Sequence, residues 1–198
     1  ASMVKMLEGR RILVTQAGEF MGPTLCEVLA EHGAEVVPSG ASLIETDAAE
    51  TVVREAGRID VLVANLALPA PSTAAVDADE AEWRRVFAAL VDPLPRLARA
   101  VLPQMIERRA GKILVMGSAS ALRGMKRAST YSAARGAQLA YVQAVGVEVA
   151  PFNVQVNAIC PTVVLTPMGI KVWSPPEKSG PMIAGTPSST RSARTTSA

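Results

Sequence analysis

Short runs suited to strands alternate along this chain with longer runs of helical period, and that alternation limits the fold more than any other feature. Arg11 to Thr15 (RILVT), Ala34 to Pro38 (AEVVP), Ile59 to Ala67 (IDVLVANLA), Lys112 to Ser118 (KILVMGS) and Asn153 to Ile159 (NVQVNAI) read as strands. Between them, MGPTLCEVLAEHG reads as a helix stopped by Gly33, and AAETVVREAG as a helix capped by Asp47. A helical stretch from Asp79 to Arg109 should bend or divide at Pro93 and Pro95, and Ser129 to Ala150 forms a further helix. Strands that are apolar throughout need cover on both faces, and a helix after each strand supplies it. The expected fold is α/β, a doubly wound Rossmann-type parallel sheet with helices on both faces. Sites in such a sheet form at the carboxyl ends of strands, where Thr15, Asn65, Ser118 and Ile159 fall.

Composition narrows the chemistry. With 49% hydrophobic residues and a net charge of +2, nothing points to nucleic acid, and part of the basic excess lies near the C-terminus. Cys26 and Cys160 stand far apart without metal-ligand spacing, as expected of two buried reduced thiols in a cytosolic protein. His32, the one histidine, sits where a helix ends at Gly33, so a Ser-His-Asp triad or a histidine metal site is not expected. The longest apolar run is too short for a bilayer and is broken by Asp60. No signal-peptide core opens the chain, and the expected location is cytoplasmic. After Pro175 the character changes; residues 185–198 (GTPSSTRSARTTSA) are expected to be a disordered tail behind a single domain of residues 1–184.

The chemistry gathers in GSASALRGMKRASTYSAARGA. Twelve residues separate Ser118 from Tyr131, and three separate Tyr131 from Arg135. If Tyr131 opens a helix, Arg135 lies one turn on along the same face, where a guanidinium favours the phenolate. Ser118, ending an apolar run, can hydrogen-bond the oxygen on which the tyrosine acts, so a general base and an orienting partner are both present. A dinucleotide site would need glycines in the first strand-to-helix loop, so that the backbone can approach pyrophosphate. That loop reads Thr15-Gln16-Ala17-Gly18-Glu19-Phe20-Met21-Gly22, with a phenyl ring and a carboxylate where pyrophosphate would pass. Among aromatic residues elsewhere, Tyr141 and Trp83 read as packing.

Residues 10 to about 158 resemble the short-chain dehydrogenase/reductase superfamily, and within it the halohydrin dehalogenases. The superfamily loop TGxxxGxG is matched here only by Thr15 and Gly22, with Gln16 and Phe20 at the other glycine positions. The dehalogenase loop, Thr, four residues, an aromatic, one residue and Gly, is matched by Thr15, Phe20 and Gly22. The pattern Ser-x12-Tyr-x3-Arg is matched by Ser118, Tyr131 and Arg135, where a dehydrogenase normally carries Lys last. Asn-Asn-Ala-Gly after the following strand reads Ala64-Asn65-Leu66-Ala67, and Leu90 stands at the helix asparagine of the reductase tetrad.

The resemblance implies cofactor-independent conversion of vicinal halohydrins to epoxides and halide, a lyase activity with no nicotinamide and no metal. Tyr131 would take the hydroxyl proton, Ser118 would hold the oxygen, and Arg135 would favour the phenolate. Halide would leave into a pocket of Thr15, Phe20, Gly22, Pro161, Thr162 and Val163. In reverse, small anions would open epoxides. Partners would be a haloalcohol or epoxide and a halide. A homodimer or homotetramer would form through the long helix and the Tyr131 helix.

Beyond Asn157 the resemblance shifts. Residues 160–187 are similar to the L-xylulose/carbonyl reductase group, where Pro-Thr-Val-Val-x-Thr follows the sixth strand, matched by Pro161 to Thr166. That segment keeps open an NAD- or NADP-dependent reductase as the alternative, and a catalytically silent or partner-binding α/β fragment as a third reading. Against the superfamily pattern the chain is expected to be C-terminally truncated, without the final helix and strand.

Overall fold

The structure, a computed structural model, describes residues 5–162 together with residues 164 and 176. The expected domain boundary after residue 184, and the tail that follows it, lie outside the described residues. Five strands build one parallel sheet: β1 (Arg11–Val14), β2 (Glu35–Pro38), β3 (Val61–Ala64), β4 (Gly111–Met116) and β5 (Val154–Ile159). Their order is β2-β1-β3-β4-β5. The helices are α1 (Gly22–Glu31), α2 (Ala48–Ala56), α3 (Glu80–Leu90), α4 (Pro93–Arg108) and α5 (Ser129–Val149). This is the Rossmann-type α/β architecture that the alternating pattern predicts.

Local chemistry explains the boundaries. Gly33 takes a φ of +90° just beyond α1, a conformation that ends a helix at little cost to glycine. Asp79 caps α3 by accepting from the Glu82 N–H at 2.7 Å. The long helical stretch divides at Val91 and Asp92 because Pro93 lacks the N–H that a continuous helix would need; as the first residue of α4 it loses nothing. Asp47 precedes α2 as expected but makes no side-chain cap bond.

Two apolar layers hold the sheet. The larger packs α2 to α5 on one face, with Leu62, Leu90, Leu97, Val101 and Met105 fully buried. Burying each such side chain contributes about 1.5–3 kcal/mol. The smaller layer, around Ile12, Val14, Val63 and Met116, is covered by Leu25 and Leu29 of α1. Both cysteines are free and half-buried, less enclosed than expected. Among the described residues no helix is long and apolar enough to cross a membrane.

The chain passes from β1 outward to β2 and then returns to β3 on the other side of β1. The two crossover helices that flank this reversal lie on opposite faces, which opens a crevice beyond the ends of β1 and β3. Ligands bind at such a switch point.

Candidate active site

Hydrogen bonds lace the ends of β1, β2 and β3 together at that crevice. The Thr15 hydroxyl donates to the Asn65 carbonyl at 3.1 Å. The Asn65 amide donates to the carbonyls of Gln16 and Glu19, each at 3.0 Å. The Gln16 side-chain oxygen accepts from the Ala67 N–H at 2.7 Å, and the Ala17 N–H donates to the Ser39 carbonyl at 2.8 Å.

The loop held in this way has a glycine-type backbone without the glycines. Gln16 has φ +44° and Phe20 φ +51°, left-handed values that cost a residue with a side chain about 1–2 kcal/mol. At Gln16 the side-chain bond to Ala67 offsets part of that cost. Gly22 is required for a different reason. A Cβ there would lie 2.4 Å from the Ala17 carbonyl oxygen and 2.8 Å from the Ala17 Cα. The absence of a side chain lets α1 start hard against the loop.

These contacts revise the expected pocket. Thr15 is 1% exposed and its hydroxyl donates to the main chain. Gly22 is buried in backbone packing. Phe20 is half-buried at the crevice. Pro161 is half-buried and its carbonyl accepts from the Ala119 N–H at 2.9 Å, while Thr162 is exposed. Val163 lies outside the described residues.

Ser118 follows β4 and caps a short 3-10 turn, Ala119–Ala121, that packs on α5. Its oxygen accepts from the Ser120 N–H at 3.2 Å and from the Ser120 hydroxyl at 3.0 Å. With the lone pairs engaged, the Ser118 proton is free to point at a ligand. Nothing in the sequence marks Ser120 except its Ser-x-Ser spacing from Ser118. Tyr131 lies in the first turn of α5 and is 8% exposed.

Arg135 is 1% exposed and stacks on Tyr131, its guanidinium carbon 5.0 Å from the ring centroid. One Nη donates to the Met116 carbonyl and to Gln138 Oε1, each at 3.0 Å, and the other to the Leu66 carbonyl at 3.3 Å. The cation is therefore balanced by carbonyl dipoles at the ends of β3 and β4 and by the ring face. It lies against the ring face. Gln138, also unforeseen, donates to the Leu90 carbonyl at 2.6 Å and so ties α3 to this cluster. Leu90 itself is fully buried core. A cavity of about 510 Å³ between α2 and α4, rimmed by Arg54, Arg96 and Arg99, includes none of these residues.

A doubly wound parallel sheet with a glycine-type loop at its switch point, and with serine and tyrosine at neighbouring elements, defines a dinucleotide-fold enzyme. The chain belongs to the short chain dehydrogenase family, whose sequence pattern matches residues 44–177. It is 33% identical to the 2-keto-3-deoxy-L-fuconate dehydrogenase of Xanthomonas campestris over 81% of this chain and 60% of that protein's length. It is 29% identical to the L-xylulose reductase of Bos taurus, over 89% of this chain and 81% of that protein. The crystal structure of gox2181 superposes with a TM-score of 0.85 at 25% identity, covering 92% and 83% of the two chains. A dehalogenation enzyme superposes with a TM-score of 0.80 at 24% identity over 90% and 83%, a likeness of fold alone.

These findings correct the expected reaction. The named sequence relatives are dehydrogenases and reductases, so cofactor-independent dehalogenation, with its haloalcohol, epoxide and halide partners, is overturned. The expectation of no cofactor falls with it. A 3-ketoacyl-(acyl-carrier-protein) reductase of Brucella melitensis complexed with NADH shares the fold, with a TM-score of 0.77 at 23% identity over 82% and 79% of the chains. The departures at Gln16, Phe20, Leu90 and Arg135 misled because they change side chains while the backbone beneath them keeps its course.

The residues present fit a nicotinamide dinucleotide at the level of the main chain. Gln16 and Phe20, at glycine positions of the family loop, hold left-handed backbone, and Gly22 keeps the close packing of helix on loop. Asn65 Oδ1 is buried there without a hydrogen-bond partner among the described residues.

Proposed function

We propose that the protein is a nicotinamide-dependent oxidoreductase that interconverts a hydroxyl and a carbonyl on a small molecule. The observation that carries this reading is the Thr15–Gly22 loop, which holds left-handed backbone at Gln16 and Phe20 although neither is glycine. A chain with no use for a phosphate cradle could relax that strain.

The bound nicotinamide supplies or accepts the hydride. Residues of the loop and Asn65 would hold the dinucleotide at the crevice. Ser118, its oxygen occupied by Ser120, donates its proton to the substrate oxygen. Tyr131 gives or takes the proton at that same oxygen. Arg135, clamped by two strand-end carbonyls, holds the tyrosine ring in place for that transfer. Copies associate through the α3–α4 and α5 helices, where Trp83 (45% exposed) and Val147 (80% exposed) leave apolar surface.

The test is oxidation of NADPH or NADH in the presence of L-xylulose, and reduction of NAD+ or NADP+ in the presence of 2-keto-3-deoxy-L-fuconate, followed by Tyr131→Phe. Loss of the general acid–base should lower kcat roughly 100-fold or more. Either nucleotide should also raise the melting temperature by mass action. A protein that gains no stability from either nucleotide and turns over neither sugar overturns the proposal.

A further inference from the structure

Glu82, in the first turn of α3, plays no part in the arrangement described so far, yet it joins two segments at the same edge of the sheet. Its Oε1 accepts from the Thr130 hydroxyl at 2.6 Å and its Oε2 from the Thr73 hydroxyl at 2.5 Å. Thr130 is 3% exposed and immediately precedes Tyr131. Thr73 lies in the connection between β3 and α3, which leaves the sheet beside Asn65.

The two segments are already in contact without Glu82. The Thr73 N–H donates to the Arg127 carbonyl at 2.8 Å, and Thr73 forms an isolated parallel bridge with Ala128. The Arg127 guanidinium returns to the Ser72 carbonyl at 3.1 Å, and Arg127 itself takes a φ of +61° to do so. These bonds fix the backbones at one point. They lie upstream of Thr130 and Tyr131.

An ionised carboxylate adds a second tie, within the first turn of α5 itself. It accepts from both hydroxyls at once, through short charge-assisted bonds. The bond from Thr130, and next that from Thr73, hold the Glu82 carboxyl below its ordinary range. A negative charge beside the first turn of α5 is further favoured by the helix dipole.

We propose that Glu82 is a positioning residue of the active site: through Thr130 it sets the orientation of Tyr131, and through Thr73 it sets the wall that the β3–α3 connection presents to substrate. The proposal rests on the oxidoreductase reading. It goes beyond that reading in assigning a role to a residue that touches neither substrate nor cofactor. It also divides the work between two threonines. Thr130 governs the proton-transfer step, and Thr73 governs how substrate is held.

That division supplies the test. Glu82→Ala, Thr130→Val and Thr73→Val are assayed with the sugar and nucleotide that the wild type turns over, and amide hydrogen exchange is followed over residues 70–76 and 128–132. Thr130→Val should lower kcat about 10-fold with little change in KM, since small misplacement of a reacting group is costly. Thr73→Val should raise KM with kcat nearly kept, and Glu82→Ala should do both. Thr130→Ser, which restores the hydroxyl, should restore kcat. Exchange should rise over both stretches in Glu82→Ala.

A Glu82→Ala enzyme that melts earlier but keeps the kcat and KM of the wild type has lost only structure, and the proposal is then wrong. It is equally wrong if Thr130→Ser is as slow as Thr130→Val. If the wild type turns over nothing, the oxidoreductase reading has failed and the positioning role fails with it. Exchange then reports separately whether the carboxylate clasp itself exists: unchanged protection in Glu82→Ala refutes even that.

Discussion

Gly22→Ala tests whether the loop between β1 and α1 is held as rigidly as its hydrogen bonds imply. The added methyl would stand 2.4 Å from the Ala17 carbonyl oxygen, 2.6 Å from its carbon and 2.8 Å from its Cα. All three are main-chain atoms, so no rotamer change relieves the contact. Ala17 cannot retreat freely, because its N–H donates to the Ser39 carbonyl at 2.8 Å. Neither can its neighbours, since the Asn65 amide holds the carbonyls of Gln16 and Glu19. Overpacking of this kind costs about 1–3 kcal/mol. The higher helix propensity of alanine returns at most about 1 kcal/mol. With the full return, a net loss of up to about 2 kcal/mol lowers the melting temperature of a chain this size by up to roughly 8 °C. If the loop cradles pyrophosphate, the displacement falls where the nucleotide binds. The thermal gain from saturating NADPH or NADH should then shrink by more than the apo protein loses. Thermal melts with and without nucleotide measure both quantities. A variant that melts at or above the wild-type temperature, with its nucleotide response intact, would refute the claim that loop and helix are packed beyond tolerance.

Three further outcomes follow from the same contacts. Phe20→Gly should leave stability within about 1 kcal/mol, because relief of left-handed strain is offset by glycine's chain entropy and by lost half-burial. It should also tighten nucleotide binding in a calorimetric titration; weaker binding would mean that the ring contributes to the site. Arg135→Lys replaces a fork that reaches Met116, Leu66 and Gln138 with a single ammonium, so at least one buried acceptor loses its donor. A loss of about 2 kcal/mol is expected in a denaturant melt, and an unchanged midpoint would show that the carbonyl clamp contributes nothing. For Asp60, desolvation is the largest influence and raises its pKa. The Arg11 N–H, the Arg58 bond and the charges of Arg58 and Arg108 together prevail and hold it below the ordinary value. A folded pKa below the unfolded one stabilises the fold above the unfolded value, near pH 4, and that contribution disappears as pH falls through the folded pKa. Asp60→Asn should therefore flatten the stability–pH curve below about pH 4; a curve with the wild-type slope there would exclude this carboxylate.

The alternation of strand and helix patterns was sufficient for the fold because each strand's apolar length demands two covering layers, whatever the neighbours. Pro93 likewise announced the break between α3 and α4 by its missing N–H, a property of the residue alone. The spacing of Ser118, Tyr131 and Arg135 was legible for the same reason: strand end and helix turn are local geometries. The loop conformation is not local in this sense. Gln16 and Phe20 looked like the loss of a nucleotide site, since side-chain identity is all a sequence shows.

Local sequence set the order of elements and which residues reach the carboxyl edge of the sheet. Tertiary structure decided what happens to them there. Partners nearly fifty residues away, Asn65 and Ala67, hold Gln16 and its loop in the glycine conformation. Carbonyls from two strands turn Arg135 from a charge beside a phenol into a clamp beneath its ring. The Thr15 hydroxyl goes to the Asn65 carbonyl, fifty residues on in the chain. Hydrogen bonds between distant segments select among conformations that the local sequence leaves open, and only the folded chain brings those segments within reach.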